Sequence, residues 1–169
     1  MLGQDKSDSS PADSGHCDHN KEIVNIALRY LCLREYSEKE LKKKILQKHN
    51  FDKLELEVVI QYLRSKDYIS DLRYIRQKSN LLKLKGFSAS YIIRYLKAEN
   101  LDVNLEKIEE LDLISDEDNI KKLILKKTSK VNVANLDHKK TQSIIRYVMS
   151  KGHCCQEIKS VLNSIKSEL

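Results

Sequence analysis

The side chains of this 169-residue chain that could bind a metal or act as catalytic acids lie in three short groups. His16-Cys17-Asp18-His19 and His153-Cys154-Cys155 contain residue types that ligate zinc, and Asp116-Glu117-Asp118 offers adjacent carboxylates. Neither His/Cys group has the paired C-x-x-C or H-x-x-x-H spacing that brings four ligands to a tetrahedral ion. Acids are favoured at a helix N-terminus by the helix dipole without any catalytic role. We therefore predict no metal site and no cofactor.

Nucleophilic and phosphate-transfer chemistry are not indicated either. The sequence has no Gly-rich phosphate loop and no Ser-His-Asp order within a supporting motif. His49 and His138 each stand alone, which is more typical of a helix end or a surface residue than of a general base. The protein is predicted not to be an enzyme.

The distribution of charge says more about function than these candidate catalytic groups do. The net charge is +6, and basic and acidic residues are concentrated in separate blocks of the sequence. Residues 64–97 carry nine Lys or Arg against two acids, and residues 99–118 carry nine acids against one base. Residues 121–151 are basic again, with nine Lys or Arg against one acid. Such blocks favour contact with a polyanion or with a protein whose own charges alternate, although solvated helix faces give the same pattern.

The basic residues of the first block and a lysine run before it are the candidate binding residues for a partner or for a DNA backbone. Two tyrosines next to arginines, Tyr74 and Tyr95, are candidate contacts, whereas the other tyrosines are expected to fill the core. The basic candidates are Arg73, Arg76, Lys83, Lys85, Arg94, Lys97, Lys42, Lys43 and Lys44.

Composition indicates that helices must position these residues. One Pro and four Gly supply few helix breakers or hairpin turns. No apolar run approaches the roughly 20 residues that cross a bilayer, and the N-terminal residues lack the apolar segment of a signal peptide. Adjacent Cys154 and Cys155 do not readily pair with each other, so we expect free thiols in a reducing compartment. An all-α, cytoplasmic protein is predicted.

A repeat of about 50 residues organises the chain. Ile92-Ile93-Arg94-Tyr95 recurs as Ile144-Ile145-Arg146-Tyr147, 52 residues later, and a related segment begins at Leu41, 51 residues before the first copy. Such a period accommodates three short helices. We predict an elongated, curved array of three tandem three-helix repeats at residues 20–70, 71–114 and 115–169, after a disordered tail at residues 1–19.

Local signals place the helices within each repeat. Residues 128–136 are the weakest helix candidate and are expected to form a loop, and Gly86 suits a left-handed position at a helix end. The predicted N-caps are Ser37, Asp52, Ser70, Ser88 and Asp137. The side chains predicted to face inward include Leu41, Ile45, Leu46, Leu56, Val59, Ile60, Leu63, Leu72, Ile75, Leu81, Leu82, Ile92, Leu96, Leu105, Ile108, Leu111, Ile120, Leu123, Ile124, Ile158, Val161, Leu162 and Ile165.

Several stretches follow a known pattern in the order of the three repeats. They are Ala27-Leu28-Arg29-Tyr30-Leu31 with Arg34-Glu35-Tyr36-Ser37 and Glu40-Leu41, then Leu63 through Ile69-Ser70-Asp71-Leu72-Arg73-Tyr74, then Ile144-Ile145-Arg146-Tyr147 with Lys151-Gly152. From about residue 21 to residue 165 the chain resembles the RecX family of bacterial recombinase regulators, which are built from tandem three-helix repeats. The chain departs from the family pattern at Ser88, where the family usually has Gly, at Lys83 and Lys85, where an Arg is usual, and at His153, where an aromatic residue is usual.

The resemblance implies a protein that binds the filament of the RecA recombinase, lies in its groove and bridges neighbouring protomers. It implies inhibition of recombination and of repressor cleavage, and shortening of the filament. From the residues themselves we expect a monomer with weak contacts to the DNA backbone and no membrane partner. A basic helical DNA-binding protein that acts without RecA is the alternative, because Lys42-Lys43-Lys44 or Arg73, Arg76 and Arg94 would contact phosphates. A passive scaffold would share the same fold.

Overall fold

The computed structural model describes residues 14–111, 113–128 and 136–167. These residues form helices joined by short connections, without a strand among them, as the all-α prediction requires. None of the helices in this part of the chain is long and apolar enough to cross a membrane. The helices are α1 (Ser14–Leu31), α2 (Glu38–Lys48), α3 (Lys53–Ser65), α4 (Asp71–Leu84), α5 (Ala89–Ala98), α6 (Leu105–Glu109), α7 (Asp116–Thr128), α8 (His138–Met149) and α9 (Cys155–Ser167).

The first helix begins earlier than the sequence predicts. Helix α1 starts at Ser14, ahead of the expected start near Asn20, because each residue added to an existing helix gains a backbone hydrogen bond at little cost. The rest of the predicted tail, residues 1–13, lies outside the described residues. Thr128 closes α7, and residues 129–135 of the predicted loop also lie outside them.

Four predicted N-caps are confirmed. The Ser37 hydroxyl accepts from the Glu40 amide at 3.1 Å, and the Asp52 carboxylate accepts from the Leu54 amide at 3.1 Å. Ser88 and Asp137 cap α5 and α8 in the same way, each through the amide three residues later. Each cap satisfies a backbone N–H that the first turn leaves without a helical partner. The sequence therefore fixes where these helices begin.

Three clusters of buried apolar side chains lie in the described part of the chain, and each draws on three consecutive helices. The first cluster includes Leu41 and Ile45, and the second includes Ile92 and Leu96. The third includes the corresponding pair Ile144 and Val148. The repeated apolar positions of the sequence therefore occupy corresponding places in their cores.

Four leucines that were expected to face inward are exposed instead, and the prediction for them is wrong. They are Leu46, Leu72, Leu81 and Leu105. In α4 the side that packs on the core carries Tyr74, Ile75 and Leu82, and a helix has room for only one such stripe. Leu72 and Leu81 lie about half a turn apart around the helix, and both fall outside this stripe.

The chain divides into two compact units, one ending at Ser70 and the other beginning at Asp71. The first unit contains α1 to α3. The second contains α4 to α9, so the two later repeats of the predicted array lie together in one unit. The division of that unit near residue 115 stays a prediction.

Replacement of Ile92 by Ala is expected to destabilise the second unit by about 2 to 5 kcal/mol, the usual cost of truncating a buried aliphatic side chain. Ile92 is fully buried in the second core cluster, and the residual cavity cannot close completely. Urea denaturation followed by circular dichroism measures the change. Replacement of its neighbour Ile93, which is only partly buried, should cost less, and equal costs would contradict the assigned core.

Candidate partner-binding surface

Helix α4 presents the first basic candidates to solvent because its apolar side is held by the second core cluster. Arg73 and Arg76 are exposed along the helix, and Lys85 is exposed just after it. Gln77 and Asn80 are exposed on the same helix. Residues three and four positions apart lie on one side of a helix, so these polar side chains share a surface. We call the side of α4 that carries Arg73, Arg76, Gln77 and Asn80 the α4 face.

Helix α5 continues the basic character of the second unit. Arg94 and Lys97 are exposed on it, and the Arg94 guanidinium carbon lies 5.5 Å from the ring centroid of Tyr91. Helices α4 and α5 contribute to the same core cluster. The Lys78 ammonium of α4 lies 5.0 Å from the Tyr95 ring centroid of α5, which links the two helices further. Arg73, Arg76 and Arg94 are therefore carried by two helices that pack directly on each other.

Lys83 does not belong to the exposed basic set, although the sequence places it there. Its side chain is only 6% exposed and forms an ion pair with Asp116 at the start of α7. The Asp116 carboxylate also accepts from the Ala89 amide at 3.1 Å, at the start of α5. An ammonium group this deeply buried requires a carboxylate partner, since an unpaired charge in the interior is costly. Lys83 acts as a structural link between the second and third helix triplets.

The lysine run of α2 is also partly engaged within its own unit. The Lys42 ammonium lies 2.6 Å from a carboxylate oxygen of Glu38 and 2.6 Å from one of Glu57. Partial burial alone would lower the pKa of Lys42, but the hydrogen bonds to Glu38 and Glu57 outweigh it and raise the pKa. Lys43 is exposed and Lys44 is partly buried. A partner that used Lys42 would have to displace two carboxylates.

Tyr74 is not a surface contact, contrary to the prediction. It is 1% exposed and belongs to the second core cluster, next to Ile75. Tyr95 is partly buried, and one side of its ring lies near the Lys78 ammonium. Core filling is the role that the structure assigns to Tyr74, because a large aromatic side chain contributes most of its stabilisation through burial.

Three residues that depart from the family pattern lie at one junction between helices inside the second unit. They are Lys83, Ser88 and His153. The Ser88 hydroxyl donates to the Gly152 carbonyl at 2.9 Å, and a ring nitrogen of buried His153 lies 2.9 Å from the Gly86 carbonyl oxygen. Lys83 joins the same junction through Asp116, which contacts Ala89. Polar contacts therefore fix α5 against the end of α8 and the start of α7.

The backbone after α8 comes so close to Ser88 and Tyr91 that position 152 must be glycine. Its φ is +92°, and a Cβ atom there would lie 2.7 Å from the Ser88 hydroxyl oxygen and 2.8 Å from the Tyr91 Cβ. On the same side of α5, Phe87 and Tyr91 stack with their centroids 4.3 Å apart, and the Lys151 ammonium lies 4.2 Å from the Phe87 ring. Local sequence patterns did not reveal this junction, because its contacts join residues more than 60 positions apart.

Metal chemistry has no support in the described geometry. Among the side chains that the structure describes, at residues 19–111, 113–128 and 136–167, no three His, Cys, Asp or Glu are grouped so that they could hold a metal ion. The side chains of His16, Cys17 and Asp18 lie outside this part of the chain. Cys32 and Cys154 are exposed free thiols, and Cys155 is a partly buried one.

The fold defines a class of small all-helical proteins, with three apolar core clusters and outward basic side chains in the described part of the chain. No family model matches the sequence. The chain is 30% identical to "Regulatory protein RecX" of Haemophilus influenzae strain PittEE over 151 residues, which cover 86% of this chain and 93% of that protein. It is also 30% identical over 151 residues to the protein of the same name from strain Rd, with the same coverage. The chain belongs to the RecX family, as its sequence resemblance predicts.

Two solved structures share the fold. The "Crystal structure of regulatory protein RecX" matches with a TM-score of 0.70 at 16% identity, over 96% of this chain and 81% of that chain. The crystal structure of RecX from Lactobacillus salivarius matches with a TM-score of 0.64 at 17% identity, over 88% of this chain and 97% of that chain. Both matches agree with the all-α architecture.

Proposed function

We propose that the protein regulates the RecA recombinase in the cytoplasm, as an inhibitor that binds in the groove of the RecA–DNA filament. There it modulates recombination, DNA repair and the coprotease activity of the SOS response. The observation that carries this proposal, together with family membership, is the exposed basic surface of α4 and α5. Helices α4 and α5 share one core cluster, and together they carry Arg73, Arg76 and Arg94.

The mechanism is steric and electrostatic, and it needs no bond-breaking chemistry. A chain with several surfaces that touches neighbouring protomers gains affinity, because the second contact forms at a high effective concentration. Bridging two protomers would hinder the movements that a filament makes when it grows or hydrolyses ATP. The second helix triplet, α4 to α6, is the proposed centre of the contact, because it is the middle one of the predicted array and hot-spot residues concentrate where the partner excludes water most completely.

DNA binding without RecA is the second candidate, and the α4 face gives it one specific support. Arg73, Arg76, Gln77 and Asn80 are the side-chain types that contact phosphates and base edges. A salt titration separates the two candidates. Binding through phosphates alone falls steeply as salt rises and needs no protein on the DNA, whereas the proposed regulator requires RecA.

The direct functional test mixes the protein with RecA of its own organism on single-stranded DNA. At protein concentrations stoichiometric with RecA, we expect ATP hydrolysis to be slower and filaments to be shorter than with RecA alone. Unchanged hydrolysis and unchanged filament length at that ratio would refute it. An identical experiment with RecA from a distant bacterium shows whether the contact is species-specific.

A further inference from the structure

Two cavities of the second unit open beside the start of α7. One, of about 370 Å³, is lined by α4, α5, α6 and α7, and the other, of about 320 Å³, is lined by α7 and α9. Asp116 lines both of them, so the two cavities adjoin at this residue. Each has a volume near the lower limit of small-ligand pockets, a size that accepts single side chains of a partner. We call the two cavities together the α7 cleft.

The first cavity has apolar walls that are partly open to water. Leu105 is 50% exposed and Ile114 is 39% exposed, whereas Ile108 beside them is buried. The partly buried Leu113 lines the same cavity. Water in contact with such walls is released when an apolar group of a partner takes its place, which is favourable.

Carboxylates surround these apolar walls. Glu109, Asp116, Glu117 and Glu157 line the α7 cleft. Lys83 is the single basic residue among the described residues that line it, and its ammonium is already paired with Asp116. The helix dipole favours Glu117 and Glu157 in the first turns of α7 and α9, but it gives no stabilisation to Glu109 at the end of α6. Local helix stability therefore does not explain all of this negative charge.

The Asp116 carboxylate is held in one orientation and is still accessible. It pairs with the Lys83 ammonium and accepts a hydrogen bond from the Ala89 amide at 3.1 Å, yet its side chain is 31% exposed. A carboxylate has about four acceptor positions, so positions remain beyond these two donors. Because the side chain is already ordered, little conformational freedom is lost when a further cation binds to it.

We propose that the α7 cleft binds a segment of a protein partner in which a Lys or Arg stands next to an apolar side chain. The inference rests on the proposed function and gives the filament protein a second contact, opposite in charge to the α4 face. The cation would pair with Asp116 and the exposed carboxylates beside it, and the apolar side chain would fill the space beside Leu105 and Ile114. Charge complementarity selects a cationic protein segment over DNA, because the carboxylates repel phosphates.

Two variants test the two halves of this contact. Glu109→Gln with Glu117→Gln removes two exposed carboxylates, and Leu105→Gln makes the apolar wall polar. All three side chains are exposed and Gln is a good helix former, so the fold should be kept. Each variant should need about tenfold more protein than the parent for half-maximal slowing of RecA ATP hydrolysis on single-stranded DNA.

Matched controls carry the same exchanges at exposed positions outside the α7 cleft. They are Glu22→Gln with Glu106→Gln, for the charge, and Leu54→Gln, for the leucine. Both controls should inhibit RecA like the parent. Losses in the controls as large as those in the test variants would assign the effect to overall charge or solubility and would overturn the inference.

Affinity for bare single-stranded DNA separates this contact from DNA binding. Removal of two negative charges should leave that affinity equal or higher, while inhibition of RecA falls. A charge variant that inhibits as well as the parent, or better, would contradict the inference and leave the proposed function standing. The same holds for a Leu105→Gln variant that inhibits like the parent. If the parent itself leaves the filament unchanged, the proposed function fails, and the inference fails with it.

Discussion

Reversal of Arg73, Arg76 and Arg94 to Glu should raise the concentration needed for half-maximal filament inhibition by about 100-fold. The three side chains are exposed on α4 and α5, so the exchange replaces attraction by repulsion at a contact with carboxylates or phosphates. ATP hydrolysis by RecA on single-stranded DNA provides the measurement. Circular dichroism should show an unchanged helix content, because none of the three side chains lies in a core.

A variant of equal charge change controls for the loss of net charge. Lys126, Lys159 and Lys166 are exposed on α7 and α9, and their reversal to Glu should weaken inhibition much less.

The affinity of the arginine variant for bare DNA shows whether its weaker inhibition comes from lost DNA binding or from lost contact with RecA. Competition for DNA predicts that this affinity and inhibition fall together, whereas direct contact with the filament protein predicts that inhibition falls more. A folded arginine variant that inhibits like the parent would show that this surface is only solvated.

Asp116→Ala should cost the second unit about 3 kcal/mol of folding stability, the second large effect that we expect. The change leaves the Lys83 ammonium buried without its carboxylate and removes an acceptor of the Ala89 amide. Urea denaturation of parent and variant measures the difference. The loss should shrink when Lys83→Met is added, because an apolar side chain of similar length needs no partner in the interior.

The neighbouring acid provides the control for this prediction. Glu117 lies in the same first turn of α7 but is exposed, so Glu117→Ala should cost only the dipole contribution, about 0.3 to 1 kcal/mol. If Asp116→Ala were no more destabilising than Glu117→Ala, the ion pair would not hold the junction together.

Local interactions explain why much of the fold was predictable. The caps at Ser37, Ser88 and Asp137 each involve the amide three residues later, so the sequence signal contains both partners. The stripes around Ile92 and Ile144 follow the helical period and reach the core as predicted. These features need no knowledge of neighbouring helices.

The side of α4 that faces the core was less predictable because several stripes fit its sequence. Leu72 and Leu81 carry the same apolar signal as Ile75 and Leu82, and only packing against α5 decides between them. Lys83 is the reverse case, since its charge predicts exposure, yet Asp116, 33 positions later, satisfies it in the interior. The arginines of the candidate surface are exposed, as a binding role requires, whereas Lys83 is buried; the binding role itself stays a prediction.

The junction at Gly86, Ser88 and His153 was hidden for the same reason. The contact between His153 and Gly86 joins residues 67 positions apart, and the contact between Ser88 and Gly152 joins residues 64 positions apart. Departures from the family pattern marked Ser88 and His153 as unusual. Only the folded chain shows that both take part in one set of contacts.

Direct binding to the filament is the most decisive measurement. The protein, labelled at a surface thiol such as exposed Cys32, is titrated with RecA filaments on single-stranded DNA, with the same DNA alone and with RecA alone. Fluorescence anisotropy at physiological salt reports each affinity. We predict tight binding to the filament, weak binding to bare DNA and weaker binding to RecA that is not assembled. Equal affinity for bare DNA and for the filament would contradict the assignment of this protein as a RecA regulator.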